Sequence, residues 1–94
     1  MYLLSGDTGE QKLVFAQGVD GNIQPALADI DNDGLVEVVA VSQNGNLIAF
    51  ENDGSVKWEG AYGGWNDTLA SYCTALSIYD IDADGDVEII AAFE

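Results

Sequence analysis

The stretch Asp29-Ile30-Asp31-Asn32-Asp33-Gly34-Leu35-Val36-Glu37 returns 51 residues later as Asp80-Ile81-Asp82-Ala83-Asp84-Gly85-Asp86-Val87-Glu88. Across the windows 29–40 and 80–91, eight of twelve positions are identical and two more are Val/Ile exchanges. The acidic nonapeptide therefore recurs together with the apolar run behind it. This constrains the fold more tightly than composition does, because both copies must adopt one structure. Each couples a tight acidic turn to a short β-branched stretch that reads as a buried strand.

Carboxylates at alternate positions followed by a glycine that permits φ > 0 are what a hard cation requires. Ca²⁺ takes six to eight oxygens at about 2.3–2.6 Å. The spacing assigns to a first Ca²⁺ the carboxylates of Asp29, Asp31 and Asp33, the backbone carbonyl of Leu35, and Glu37, which can act bidentately. A second Ca²⁺ would take Asp80, Asp82, Asp84, the carbonyl of Asp86, and Glu88, with water completing either shell. Mg²⁺ fits less well, since it demands near-octahedral geometry and retains several waters. A solvated acidic turn without metal is the plain alternative for a single copy; two copies in one strand context count against it.

An EF-hand needs a bidentate Glu at loop position twelve and flanking helices. Here the twelfth positions are Ala40 and Ala91, and short strand-like runs follow. The carboxylate arrives three residues early, which predicts a compact strand-loop-strand site.

Two lysines, Lys12 and Lys57, stand against seventeen acidic residues, for a formal charge of −15. That balance argues against nucleic acid or an anionic membrane as partner. Two Ca²⁺ would bring the charge to −11. A content of 48% apolar residues, 10% of the chain being aromatic, argues for one small folded domain despite the charge. No run approaches the roughly 20 apolar residues of a membrane helix, and Met1-Tyr2-Leu3-Leu4 lacks the pattern of a signal peptide, so membrane insertion is not expected. Cys73 is the single cysteine and there is no histidine, so neither an internal disulfide, a zinc site nor a catalytic thiol is expected, and Cys73 reads as a small buried residue. Weak Ca²⁺ sites fill only where calcium is abundant, which points to an extracellular, cell-surface or periplasmic protein.

The remainder reads as short strands separated by turns, an all-β pattern without helical periodicity. Strands are predicted at Tyr2–Leu4, Lys12–Ala16, from Pro25 into the first acidic loop, Val36–Ser42, Leu47–Glu51, Ser55–Trp58, Thr74–Tyr79 and Val87–Phe93. Asn44-Gly45 is the strongest hairpin signal. Aligning Tyr2-Leu3-Leu4…Gly9…Phe15 with Leu47-Ile48-Ala49…Gly54…Trp58 gives strands c-d, then a-b-c-d, then a-b. A unit of four strands in this range of length predicts a β-propeller blade. The whole chain, 1–94, then forms a single two-blade unit, with repeats over about 1–16, 24–58 and 73–94 and half blades at both ends.

The D-x-D-x-D-G-x-x-E pattern between short apolar strands resembles the FG-GAP or VCBS-type repeat found in integrin α-subunit propellers and in bacterial secreted and surface proteins. The resemblance covers both units. It implies Ca²⁺ in the loop joining the first two strands of each blade, on the same ten residues. There is no Phe-Gly before either loop and no Gly-Ala-Pro after the second strand, so the likeness is to the looser VCBS-like branch. Gly6-Asp7-Thr8-Gly9-Glu10 before Phe15 and Asn52-Asp53-Gly54 before Trp58 bear a weaker likeness to quinoprotein-type blades.

A propeller closes with about 4–8 blades, and two blade equivalents leave strand edges and apolar faces exposed. Starting at c and ending at b leaves each end complementary to the other end of a further copy. Head-to-tail assembly of three or four copies would give six or eight blades, the alternatives being a piece of a longer propeller or a strand-exchanged dimer. Three functions stay open. The first is a calcium-stabilised module presenting a protein- or glycan-binding surface, with Tyr62, Trp65, Asn66, Asp67 and Tyr72 as candidate ligand contacts on the face opposite the metal. The second is a purely structural or assembly repeat. The third, part of a polysaccharide-degrading enzyme, is disfavoured because no base, nucleophile or oxyanion cluster can be assigned, so the chain reads as a non-enzyme.

Overall fold

A computed structural model describes residues 1–15, 18–43, 46–60 and 73–93. Among them every regular element is a strand: β1 (Tyr2–Leu4), β2 (Gln11–Val14), β3 (Ala26–Ala28), β4 (Glu37–Val41), β5 (Leu47–Phe50), β6 (Val56–Glu59), β7 (Cys73–Tyr79) and β8 (Glu88–Phe93). All pairings are antiparallel. They form a two-stranded sheet β1-β2, a four-stranded sheet β3-β4-β5-β6 and a two-stranded sheet β7-β8. The all-β reading holds.

The four-stranded sheet is the central layer, and alternation along β4 and β5 explains why. Cross-strand pairing sets Val38 opposite Phe50 and Ala40 opposite Ile48, while Val39 faces Ala49 and Val41 faces Leu47. Because side chains on a strand alternate between faces, these are two separate apolar faces. Ala40, Ile48 and Phe50 pack with Phe15, Leu13 and Met1 of the β1-β2 side. Val41 and Leu47 pack with Leu76, Ile89 and Ala91 of the β7-β8 sheet. A strand covered on both faces needs a continuous apolar run, as Val38 to Val41 supplies. Phe15 and Phe50 meet edge to face at 4.9 Å between ring centroids, locking the first sheet onto the middle one.

The β1-β2 and β5-β6 hairpins share one geometry, and it corrects the sequence alignment. In each, the register slips by one residue, between Leu3 and Leu4 and between Ala49 and Phe50. Leu4 pairs with Gln11 and Leu3 with Leu13; Phe50 pairs with Val56 and Ala49 with Trp58. Leu13, not Phe15, therefore stands where Trp58 stands. Phe15 lies beyond the end of β2, its N–H donating to the Met1 carbonyl at 3.0 Å as Gly60 donates to Leu47 at 3.0 Å. The expected strand through Ala16 thus stops at Val14, because Phe15 turns into the interlayer core and is 5% exposed. Asn44 and Gly45 lie outside the described residues. Val41 pairs with Leu47 across the expected hairpin.

Both hairpin turns place glycine in the left-handed region, Gly9 at φ 76° and Gly54 at φ 90°. Gly54 also abuts the neighbouring sheet, since a Cβ there would lie 2.8 Å from Leu13 Cδ1. Gly54→Ala combines backbone strain with a clash against a packed side chain, a loss of about 2 kcal/mol. Thermal melting should fall by roughly 10 °C. An unchanged melting temperature would mean that the β1-β2 hairpin does not rest on this turn.

Candidate metal centres

The two acidic stretches fold into the same loop, connecting β3 to β4 and β7 to β8. In the first, Asp29 receives the Asp33 N–H at 3.1 Å and the Gly34 N–H at 2.8 Å, one on each oxygen. Asp31 Oδ1 receives Asp33 N–H at 3.2 Å, and Asp33 Oδ1 receives Leu35 N–H at 2.8 Å. The second repeats this with Asp80 under Asp84 and Gly85 at 3.1 and 3.0 Å, Asp82 under Asp84 at 3.2 Å, and Asp84 under Asp86 at 2.9 Å. Each closing Glu reaches back to the loop's second residue: Glu37 Oε2 accepts from Ile30 N–H at 2.7 Å, and Glu88 Oε1 from Ile81 N–H at 2.9 Å. Backbone donors thus aim the carboxylates into the loop.

The turn requires two residues with positive φ in each copy. Gly34 (86°) and Gly85 (95°) are the glycines anticipated by the motif, but Asn32 (62°) and Ala83 (60°) share the left-handed conformation. Asn tolerates it; Ala carries strain of about 1 kcal/mol. Ala83→Asn, which copies the first loop, should raise the melting temperature by about 4–8 °C. No increase would mean that the second loop does not hold this conformation in solution.

Asp29, Asp31, Asp33 and Glu37 bring one carboxylate oxygen each within 4.8 Å of the others, and so do Asp80, Asp82, Asp84 and Glu88. Two acidic groups capable of holding a metal ion are therefore present. A second observation tests the fit at the first. Glu37 is fully buried, and its Oε1 has no hydrogen-bond partner among the described residues. A carboxylate taken out of water without compensation costs several kcal/mol, whereas a cation held by this cluster would satisfy that oxygen. The residues fit a hard cation. Glu88 is only half-buried, because its sheet forms an outer layer while Glu37 belongs to the central one. Leu35 and Asp86 stand at the rim of their loops, with N–H groups turned inward to Asp33 and Asp84. The two loops also touch, as Asn32 Nδ2 donates to Asp86 Oδ1 at 2.6 Å.

Sequence reasoning missed Lys57 at this site. Its ammonium bridges Asp31 Oδ2 at 2.8 Å and Glu51 Oε1 at 2.9 Å. These partners raise the lysine pKa, and the lysine in turn holds the Asp31 carboxyl below the usual carboxylate range. A lone lysine on β6 gave no local signal, since Asp31 lies 26 residues away. It offsets part of the loop's negative charge and ties the β3-β4 loop to the far strand of the sheet. Tyr62, Trp65, Asn66, Asp67 and Tyr72, the candidate ligand surface, lie outside the described residues.

A family model described as an FG-GAP-like repeat matches residues 29–91, spanning both acidic loops. No curated protein and no solved structure matches the chain significantly.

Proposed function

The chain belongs to the FG-GAP-like repeat family, and on that premise we propose that it is a β-propeller repeat module whose acidic loops bind Ca²⁺ and whose half-sheets assemble head-to-tail with those of further copies. The observation that carries the calcium reading is the buried Glu37, with one oxygen unpartnered among the described residues beside three aspartates. Ca²⁺ bound there would supply the positive charge that lets four carboxylates share so small a volume. The carboxylates of Asp29, Asp31, Asp33 and Glu37, and of Asp80, Asp82, Asp84 and Glu88, would hold it, joined by the Leu35 and Asp86 carbonyls. Backbone N–H groups of Asp33, Gly34, Asp84 and Gly85 keep the aspartates oriented. Ca²⁺ dependence suits a protein exposed to extracellular or periplasmic calcium.

The sheets support the propeller reading, in which the β3-β4-β5-β6 sheet is one blade and the outer pairs are complementary halves of another. A ring of three or four copies would complete them. We take the role to be non-enzymatic, presenting a surface to a protein or glycan, because the chain has no histidine or arginine and its acids cluster in the metal loops. Calorimetric titration of chelator-treated protein with Ca²⁺, and separately with Mg²⁺, tests the site. Two Ca²⁺ per chain, bound more tightly than Mg²⁺, are expected. No heat and no saturation with Ca²⁺ would remove the reading.

A further inference from the structure

The only two lysines of the chain occupy the same place in two different hairpins. Lys57 is the residue skipped where Phe50 pairs with Val56 and Ala49 with Trp58; Lys12 is the residue skipped where Leu4 pairs with Gln11 and Leu3 with Leu13. The turns agree as well. Glu51 N–H donates to the Ser55 carbonyl at 2.8 Å and Gly54 N–H to Glu51 at 2.9 Å; Ser5 donates to Glu10 at 2.7 Å and Gly9 to Ser5 at 2.8 Å. Lys57 reaches Asp31 because β3-β4 and β5-β6 belong to one sheet. Among the described residues no such loop lies beside Lys12. Among them it is exposed and forms no ion pair, while Asp82, the counterpart of Asp31, is exposed and accepts a hydrogen bond only on Oδ1 from them.

The edges of the outer sheets show the same complementarity. Val39, Ala49, Ile48 and Phe50 are completely buried in the β4-β5 seam, whereas their counterparts Ile90, Leu3, Tyr2 and Leu4 are 40%, 39%, 63% and 54% exposed. Carrying the β4-β5 register over to β8 and β1 sets Ile89 against Leu4, Ile90 against Leu3 and Ala91 against Tyr2. That pairing buries the apolar edge and brings the Lys12 bulge to the 80–88 loop. We propose that Lys12 of one copy seats on Asp82 of another, so that the second acidic loop receives from a neighbouring copy the cation that Lys57 gives the first loop within the chain. Glu51 has Ser5 as its counterpart, so Lys12 loses the competing carboxylate and Asp82 is its main partner. The inference rests on the head-to-tail assembly above and adds the residue that ties assembly to the second metal loop.

Zero-length carbodiimide cross-linking of a mixture of ¹⁴N- and ¹⁵N-labelled protein tests it, with sedimentation velocity on the same samples. The expected product joins a Lys12 peptide to the peptide bearing Asp82 with mixed isotope composition. Lys57 joined to Asp31 or Glu51 within one chain is the internal control. Lys12→Met should abolish the product and raise the dissociation constant of the assembly about two- to fivefold, as for a partly exposed ion pair. Lys57→Met should remove the internal control product, and the mixed-isotope Lys12 product should still form. An assembly that forms while Lys12 links only within its own chain, to other acids or not at all, overturns the inference and spares the head-to-tail reading. A monomer at every concentration overturns both.

Discussion

Excess chelator is expected to lower the melting temperature of this protein by about 20 °C or more relative to saturating Ca²⁺. A ligand that binds only the folded state at a hundredfold its dissociation constant contributes about 2.7 kcal/mol per site. Two sites contribute roughly 5 kcal/mol, and a domain of this size shifts by about 4–8 °C per kcal/mol. The substitution Glu37→Gln separates a metal site from a merely acidic turn through the sign of its effect. Gln keeps an acceptor for the Ile30 N–H and removes the charge of a fully buried carboxylate that lacks a partner on Oε1 among the described residues. In chelator, therefore, Glu37→Gln melts above the unmodified protein, because the desolvated charge is gone. In Ca²⁺ it melts below, because one of four anionic ligands is gone and first-site affinity falls by more than about tenfold. The two melting orders must cross. If chelator leaves the melting temperature unchanged, or the order is the same in both conditions, the carboxylates are not held together by a metal.

The loops were readable from sequence because their determinants are local. Alternating aspartates, a glycine and a returning glutamate fix the turn within nine residues, and the apolar run Val38 to Val41 marks the strand that follows. Family membership over 29–91 agrees with that reading. What escaped was set by distance or by a slip of register. Lys57 belongs to the first site through a contact spanning 26 residues. The hairpin alignment matched Phe15 to Trp58 because aromatics attract each other in a one-dimensional comparison. The structure matches Leu13 to Trp58, since the first turn is one residue longer and Phe15 serves the contact between layers. Ala83 gave no hint of a left-handed backbone, because alanine rarely adopts one. The exceptional burial of Glu37 was equally invisible; it arises from the covering of the central sheet on both faces.

The proposed head-to-tail assembly makes the second prediction of large effect, and Ile90 is the residue to change. Its counterpart Val39 is completely buried between two neighbours of the central sheet, whereas Ile90 is 40% exposed and Ile89 and Ala91 make the contacts with the core. Ile90→Asp therefore leaves most of the packing within one chain in place. Across the proposed β8-β1 seam the same change would force a carboxylate into an apolar layer opposite Leu3, where an unpaired charge costs several kcal/mol. The substitution should weaken the assembly by more than about a hundredfold, while the chain stays folded and its melting temperature keeps the same response to Ca²⁺ as the unmodified protein's. Sedimentation velocity across a concentration series, paired with circular dichroism, reads the two quantities apart. Leu3→Asp strikes the same seam from the other copy and should give the same dissociated, folded species. An equimolar mixture of the two variants should not recover assembly, because in a head-to-tail arrangement mixing can supply at most isolated pairs through the one intact edge on each variant. If Ile90→Asp and Leu3→Asp assemble as well as the unmodified protein, β8 and β1 do not meet, and the exposed edges must be covered by some other contact.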